Sequence, residues 1–275
     1  MTLTRRQVRD LLAEHGLSPS RALGQNFVAD PNTVRRIARL AGIGHGDRVV
    51  EVGAGLGSLT VALAETGAEV TAVELDRHLL PVLRSVVEPL GVRVVEGDAM
   101  ALDWDEVLGA DAAGGGEDRW ALVANLPYNV ATPLVLDLLA RAPAIDRMLV
   151  MVQREVGERL AAGPGSKAYG IPSVKVAYRA DAEVVGRVPP TVFLPQPRVE
   201  SALVRLRRLP EPRVDVDPER LFRLVEAGFG QRRKMLRRSL ASLVDPAAFE
   251  RAGVRPDARA EELSLEDWAR LENAV

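Results

Sequence analysis

Between Asp47 and Gln153 short apolar runs alternate with longer amphipathic stretches, and this alternation restricts the fold more than any other feature. DRVVEVGAG, EVTAVELD, VRVVEGDAM, WALVANLPY and RMLVMVQ read as five strands in chain order. SLTVALAETG, HLLPVLRSVVEPL and TPLVLDLLARA read as helices between them. Strands separated by helices pair in parallel through crossovers, and a parallel sheet needs cover on both faces. The spacing therefore predicts an α/β fold with a mostly parallel sheet. Upstream, Arg5 to His15 reads as a helix, followed by the turn GLSPSRALGQNF. A second helix runs to Ala41, with Asp30 as N-cap and Pro31 at its first position. The tract GADAAGGGED (109–118) has no periodicity and is expected to be a mobile loop. VPPTVFLPQPRVESALVRL packs four prolines around Phe193 and then alternates as a strand. After Pro210-Glu211-Pro212 the chain turns to helices rich in Arg, Leu and Glu. The expected division is a first domain over 1–208 and a small helical domain over 209–275.

Composition removes several kinds of chemistry. There is no cysteine among the 275 residues, which excludes disulfides, thiolate zinc sites, iron–sulfur clusters and cysteine nucleophiles. His15, His45 and His78 lie far apart without ligand-like spacing, so no metal site is expected. No apolar run approaches ~18 residues and MTLTRRQVRD lacks a signal-peptide core, so a cytoplasmic protein without membrane contact is expected. The net charge of −2 conceals an uneven distribution. Residues 1–40 carry seven arginines against three acids, a net +4, and residues 198–238 carry twelve basic against six acidic side chains, a net +6. The segment between them, 41–197, is −8, and 239–275 is −4. A phosphate backbone responds to local patches when the Debye length is about 8 Å, so the two basic blocks are the expected docking elements for a nucleic acid.

The first strand ends in EVGAGLG (51–57), where Gly53, Gly55 and Gly57 let the backbone turn sharply at a helix N-terminus. Such turns serve NAD, FAD and S-adenosylmethionine alike. The dinucleotide fingerprint would need glycine at 58, and Ser58 stands there. Glu74 closes the second strand 21 residues after Gly53, where a carboxylate can accept both ribose hydroxyls. Asp98 closes the third strand and is placed to accept from an adenine amino group.

Asn125-Leu126-Pro127-Tyr128 ends the fourth strand. The exocyclic amine of adenine is a poor nucleophile, because its lone pair is delocalised into the ring. Two acceptors gripping its two N–H bonds move the nitrogen toward sp³ and aim the lone pair at an electrophilic methyl. The Asn125 side-chain carbonyl and the Leu126 backbone carbonyl can supply them, Pro127 fixes the turn, and Tyr128 offers a ring face to the base. This is positioning and electrostatics rather than acid–base catalysis.

On these residues the chain resembles the ribosomal RNA adenine dimethyltransferases, specifically their bacterial small-subunit group. The matching pieces are LGQNFVAD (23–30), VVEVGAGLGSLT (49–60), ELD (74–76), GDAM (97–100), NLPYNVATPL (125–134), MVQREVGERL (151–160), PGSKAYG (164–170), VFLPQPRVESALVRL (192–206) and GQRRKMLRRSL (230–240). The resemblance implies a Rossmann-like class I methyltransferase sheet, mostly parallel with its last strand antiparallel, and a small helical C-terminal domain. It implies that Asn26, Val28, Gly53, Gly55, Glu74, Asp98 and Asn125 line an S-adenosylmethionine site. Phe193 is expected to face Tyr128 across the target adenine, with Asn125, Leu126, Tyr128 and Phe193 as the catalytic group. The implied reaction is dimethylation at N6 of two adjacent adenosines in the 3′-terminal hairpin of small-subunit ribosomal RNA, during ribosome biogenesis, by a monomer. Arg232, Arg233, Lys234, Arg237 and Arg238 are expected to share one exposed helix face, which fits either phosphate binding or plain solubility, and Arg232, Arg233, Lys234 and Arg237 are the expected RNA contacts. Val28 stands where leucine is usual, Ala54 where proline is common, and GIPSV follows PGSKAY where an RLSV-like run is typical.

The nearest rivals are the Erm-type methyltransferases of large-subunit RNA, which share GxGxG and NLPY. PGSKAYG and the spacing Phe193, Pro195, Pro197, Val199, Ser201 look more like the small-subunit group. A ribosome-assembly binding factor with dispensable chemistry is a rival of another kind, against which the intact Glu74, Asp98 and Asn125–Tyr128 argue.

Overall fold

The computed structural model describes residues 2–20, 22–109 and 119–275; apart from Gly109, the loop expected at 109–118 lies outside the described residues. The described chain falls into two units, Met1–Gly157 with Glu183–Arg208, and Glu158–Ala182 with Leu209–Val275. One edge of this division lies at Arg208/Leu209, and 158–182, within the first domain expected from the sequence, groups with the second unit.

In the first unit the apolar runs become strands because helices cover them. α1 (Arg5–Glu14) is followed by the short β1 (Phe27–Val28) and α2 (Pro31–Ala41). Then come β2 (Arg48–Val52), α3 (Ser58–Ala64), β3 (Glu69–Glu74), α4 (Leu80–Val87), β4 (Arg93–Glu96) and α5 (Trp104–Leu108). β5 (Trp120–Asn125), α6 (Ala131–Arg141) and β6 (Ile145–Gln153) complete the alternation. α7 (Arg154–Leu160) begins in this unit, α8 (Ile171–Arg179) falls in the second, and β7 (Ala180–Val188), β8 (Phe193–Leu194) and β9 (Ser201–Arg208) follow. The main sheet has seven strands in the order β4-β3-β2-β5-β6-β9-β7. β4, β3, β2, β5 and β6 pair in parallel, and β9 runs antiparallel to β6 from Arg147↔Arg207 to Gln153↔Ser201. Val34, Ile37, Leu59 and Leu63 pack with Val49, Val123, Leu149 and Leu203 in one apolar core.

Local rules fix the helix starts. Asp30 accepts from the Thr33 amide at 3.0 Å with Pro31 in the first turn, as the sequence predicts. Thr4 and Gln7 form a capping box at α1. Val8 and Leu12 of that helix pack with Phe27, Leu56, Leu79 and Val82 in a second cluster, which ties the N-terminal segment to α4. β1 pairs antiparallel with β8, so the segment before α2 is held at both ends.

The second unit is helical. α9 (Pro218–Gly230), α10 (Leu236–Ser239), α11 (Pro246–Ala252) and α12 (Leu265–Asn273) enclose Leu221, Leu224, Leu236, Phe249 and Trp268 together with Tyr169, Val174 and Tyr178. The tyrosines and the valine explain why 158–182 joins this unit: its apolar face is buried here.

Candidate active site

In an open parallel sheet, ligands bind beyond the carboxyl ends of the strands where the strand order reverses. Here β3 and β4 lie to one side of β2 and β5 and β6 to the other, and a cavity opens beyond the ends of β2, β3, β4 and β5. Asn26, Val28, Gly53, Gly55, Glu74 and Asp98 line it, together with Asn125, Leu126 and Tyr128. The structure therefore brings together nine residues to which the sequence points, drawn from separate segments of the chain.

The glycine turn is shaped by close approach. Gly53 and Gly55 have φ of 74° and 60°, in the left-handed region. A Cβ on Gly55 would meet the Phe27 ring at 3.0 Å. Glu74 organises this turn from below. Its Oε2 accepts from the Gly55 amide at 2.7 Å, and its Oε1 from the Leu75 and Asp76 amides at 3.0 and 2.8 Å. A carboxylate offers about four lone-pair sites, so roughly one remains free for a ligand. Burial is the main cause holding the Glu74 pKa above the usual carboxylate range, with the three backbone amides opposing it. Asp98 sits at the rim, where its Oδ1 accepts from the Met100 amide at 2.9 Å.

The second half of the cavity is built around Asn125. Its Nδ2 donates to the Asn26 carbonyl at 3.0 Å. With the nitrogen committed there, the Oδ1 is the free end of the amide. Tyr128 is half-buried, and its hydroxyl lies 3.2 Å from the Oγ of the fully buried Ser201. Burial raises the phenol pKa, with the Ser201 contact opposing it, so the ring stays neutral.

Phe193 is a correction. It is fully buried in the apolar core beside Val28 and does not line the cavity, because pairing of β8 with β1 turns it inward. Its carbonyl accepts from Arg5 at 3.0 Å, which anchors β8 instead.

Four groups in or beside the cavity are given no site role by the sequence reading. The Asn26 backbone carbonyl, Ser201 and the Phe27 ring act through approach in space that spacing does not reveal. The fourth is Glu51, buried at the end of β2, whose Oε2 has no hydrogen-bond partner among the described residues. Burial pushes its pKa up to about 8, with the Thr60 hydroxyl offsetting part of the rise and Glu74 adding repulsion. An acid preceding the glycine turn was the available signal.

The basic cluster in the second unit also differs from expectation. α9 stops at Gly230 and α10 starts at Leu236, so Arg232 to Arg238 do not share one helix face. Glycines at 228 and 230, and donation from the Lys234 amide to the Gln231 carbonyl, turn the chain there. Arg232 is engaged within the unit, pairing with Glu261 at 2.7 Å and donating to the Lys167 carbonyl at 3.0 Å. Arg233, Lys234, Arg237 and Arg238 remain exposed.

Comparison with known proteins gives a consistent picture. The family profile described as ribosomal RNA adenine dimethylase matches residues 17–275. The chain is 46% identical over 283 residues to "Ribosomal RNA small subunit methyltransferase A" of Bifidobacterium adolescentis, covering 98% of this chain and 92% of the relative. The protein of the same name from Kineococcus radiotolerans is 49% identical over 279 residues, covering 98% and 90%. Among solved structures, the 23S rRNA methyltransferase ErmE superposes with a TM-score of 0.68 at 28% identity, over 90% of this chain and 99% of that one. A dimethyladenosine transferase from Plasmodium falciparum superposes with a TM-score of 0.71 over 88% of this chain and 94% of that one, and at 21% identity shares the fold.

Proposed function

The chain belongs to the ribosomal RNA adenine dimethylase family, and from that premise we propose that it dimethylates N6 of two adjacent adenosines in the 3′-terminal hairpin of small-subunit ribosomal RNA. The methyl donor is S-adenosylmethionine, which supplies an electrophilic methyl group when bound. The residues present fit such a donor. The left-handed turn at Gly53 and Gly55 lines the cavity with backbone, Glu74 keeps about one acceptor site, and Asp98 is an acid at the rim. Asn26, Val28, Gly53, Gly55, Glu74, Asp98 and Asn125 are the residues proposed to hold it.

The observation that carries the catalytic reading is the fixed orientation of the Asn125 amide. With Nδ2 held by the Asn26 carbonyl, Oδ1 is presented as an acceptor beside Leu126-Pro127-Tyr128. Oδ1 and the Leu126 carbonyl grip the adenine amine, so its lone pair localises on nitrogen without a general base. Tyr128 offers a neutral ring face for the flipped base. A base–aromatic stack contributes about 1–3 kcal/mol, comparable to the few kcal/mol of unstacking the nucleotide. Because the acceptors are preset by backbone contacts, they need no reorganisation in the transition state.

Among the described residues no helix is long and apolar enough to cross a membrane. We take the protein to act in the cytoplasm as a monomer on the assembling small subunit, with Arg233, Lys234 and Arg237 contacting RNA. Arg232 is reassigned to holding the loop around Lys167. The deciding experiment is incubation of unmethylated small subunits with labelled S-adenosylmethionine, followed by mapping of modified nucleotides. Two adjacent dimethyladenosines near the 3′ end are expected. Preferential modification of large subunits would instead establish an Erm-type activity.

A further inference from the structure

The first unit carries a second cleft that shares no lining residue with the cofactor cavity. It opens beside the last turn of α2, at the start of β5 and β6 and the end of β9, where the apolar residues of these strands give way to arginine. Arg39 comes from the last turn of α2, Arg119 from just before β5, Arg147 from β6, and Arg205, Arg207 and Arg208 from β9. The two basic blocks of the sequence, 1–40 and 198–238, thus meet at this cleft.

These arginines differ in what they are free to do. Arg208 donates to the carbonyls of Leu138, Leu139, Ala142 and Ile145 at 2.8–3.0 Å and belongs to the scaffold. Arg205 pairs with Glu183 at 2.7 Å and donates to the Leu40 carbonyl at 3.2 Å. Arg119 reaches Asp146 only at 3.5 Å, and Arg147 pairs with Asp47 while its Nε is buried without a hydrogen-bond partner among the described residues. Arg39 and Arg207 are exposed and take part in no ion pair among the described residues. Arg147 and Arg207 also stand directly opposite each other on adjacent antiparallel strands. Asp47 offsets the charge of Arg147, so Arg207 is the member of this pair left to meet an anion.

We propose that this cleft is a second docking site for the phosphodiester backbone of the substrate ribosomal RNA, separate from the site that holds the target adenine. The proposal rests on the RNA-methyltransferase reading above. A polymeric anion fits better than a small one, because the two unpaired arginines lie exposed on different elements rather than enclosing one pocket. The catalytic region is otherwise acidic, so a local basic cleft is where it can hold RNA without repelling it.

The test uses the full chain carrying Arg39→Glu with Arg207→Glu, neither of which touches the cofactor cavity. Binding to unmethylated small subunits is measured against salt concentration, alongside the parent. Removing these two arginine–phosphate pairs should lower the salt slope by about 1.4–1.8, with affinity in ~0.1 M salt down by about tenfold or more. Calorimetric S-adenosylmethionine binding should be unchanged. Wild-type slope and affinity in the double variant would overturn the proposal. If the parent itself neither binds nor methylates small subunits, the reaction assigned above fails; if the parent does both and the double variant matches it, only the cleft assignment fails.

Discussion

Because the Asn125 amide nitrogen already donates to the Asn26 carbonyl, truncating this side chain removes an acceptor aimed at the substrate and a strut for the N-terminal segment at once. Asn125→Ala should lower turnover on small subunits by about 10²–10³-fold, as loss of one preset polar contact to a transition state does. S-adenosylmethionine affinity, measured by calorimetry, should fall much less. Ser201→Ala tests a subtler contact. The Tyr128 hydroxyl loses its 3.2 Å partner, and a net loss of about 0.5–1.5 kcal/mol corresponds to roughly 2–10-fold in single-turnover rate. Glu51 gives a pH signature. Its carboxyl titrates near pH 8 in the folded chain against 4.5 for an unburied glutamate. Between those values the folded state keeps a proton that the unfolded chain releases, so burying this group costs stability increasingly as pH rises from 4.5 to 8. Glu51→Gln should leave Tm near the parent's at about pH 5 and raise it by about pH 8.5, in differential scanning calorimetry without cofactor. At this scale Asn125 and Glu74 could be singled out in sequence because each ends a strand, and Asp98 because it follows one by two residues. Ser201 and the Asn26 carbonyl could not, since their partners lie 73 and 99 residues away in the chain.

The glycine turn and β1 form one device at the scale of elements. Pairing of β1 with β8 holds Phe27 against the turn, and Gly55 leaves its ring just enough room. Gly55→Ala must adopt φ near 60° and also press a methyl against that ring at 3.0 Å. The left-handed backbone alone costs about 1–2 kcal/mol, and the contact adds to it. Gly16→Ala is the control, because its φ is 62° and nothing lies within 4 Å of the added carbon. Urea unfolding should show a larger loss for Gly55→Ala than for Gly16→Ala, and only Gly55→Ala should weaken S-adenosylmethionine binding. The strand–helix alternation predicted every parallel strand in its place, since periodicity and burial speak with one voice there. The two-residue β1 and β8 escaped, as did the true location of Phe193. Such short pairings carry no periodicity and are decided by long-range contacts such as Arg5 to the Phe193 carbonyl.

Across the whole molecule, charge is distributed by segment rather than by total, and the fold sorts the basic residues into those that build and those that remain available. The sequence counts Arg232 with its neighbours, whereas the structure commits it to Glu261 and the Lys167 carbonyl. Composition cannot make that distinction, because it depends on which carboxylate a given turn brings within reach. Two variants therefore separate the roles. Arg232→Ala should lower Tm and increase amide exchange around Lys167, with the salt dependence of subunit binding close to the parent's. Charge reversal of Arg233, Lys234 and Arg237 together should do the opposite, since all three are exposed. Each phosphate contact contributes about 0.7–0.9 to the slope of log affinity against log salt, so removing three should flatten it by about 2–2.7. Tm and S-adenosylmethionine affinity should hold, because no cavity-lining residue is altered. A triple variant that binds and methylates small subunits with the parent's salt dependence would show that these residues only face water, and that the RNA is held elsewhere on the chain.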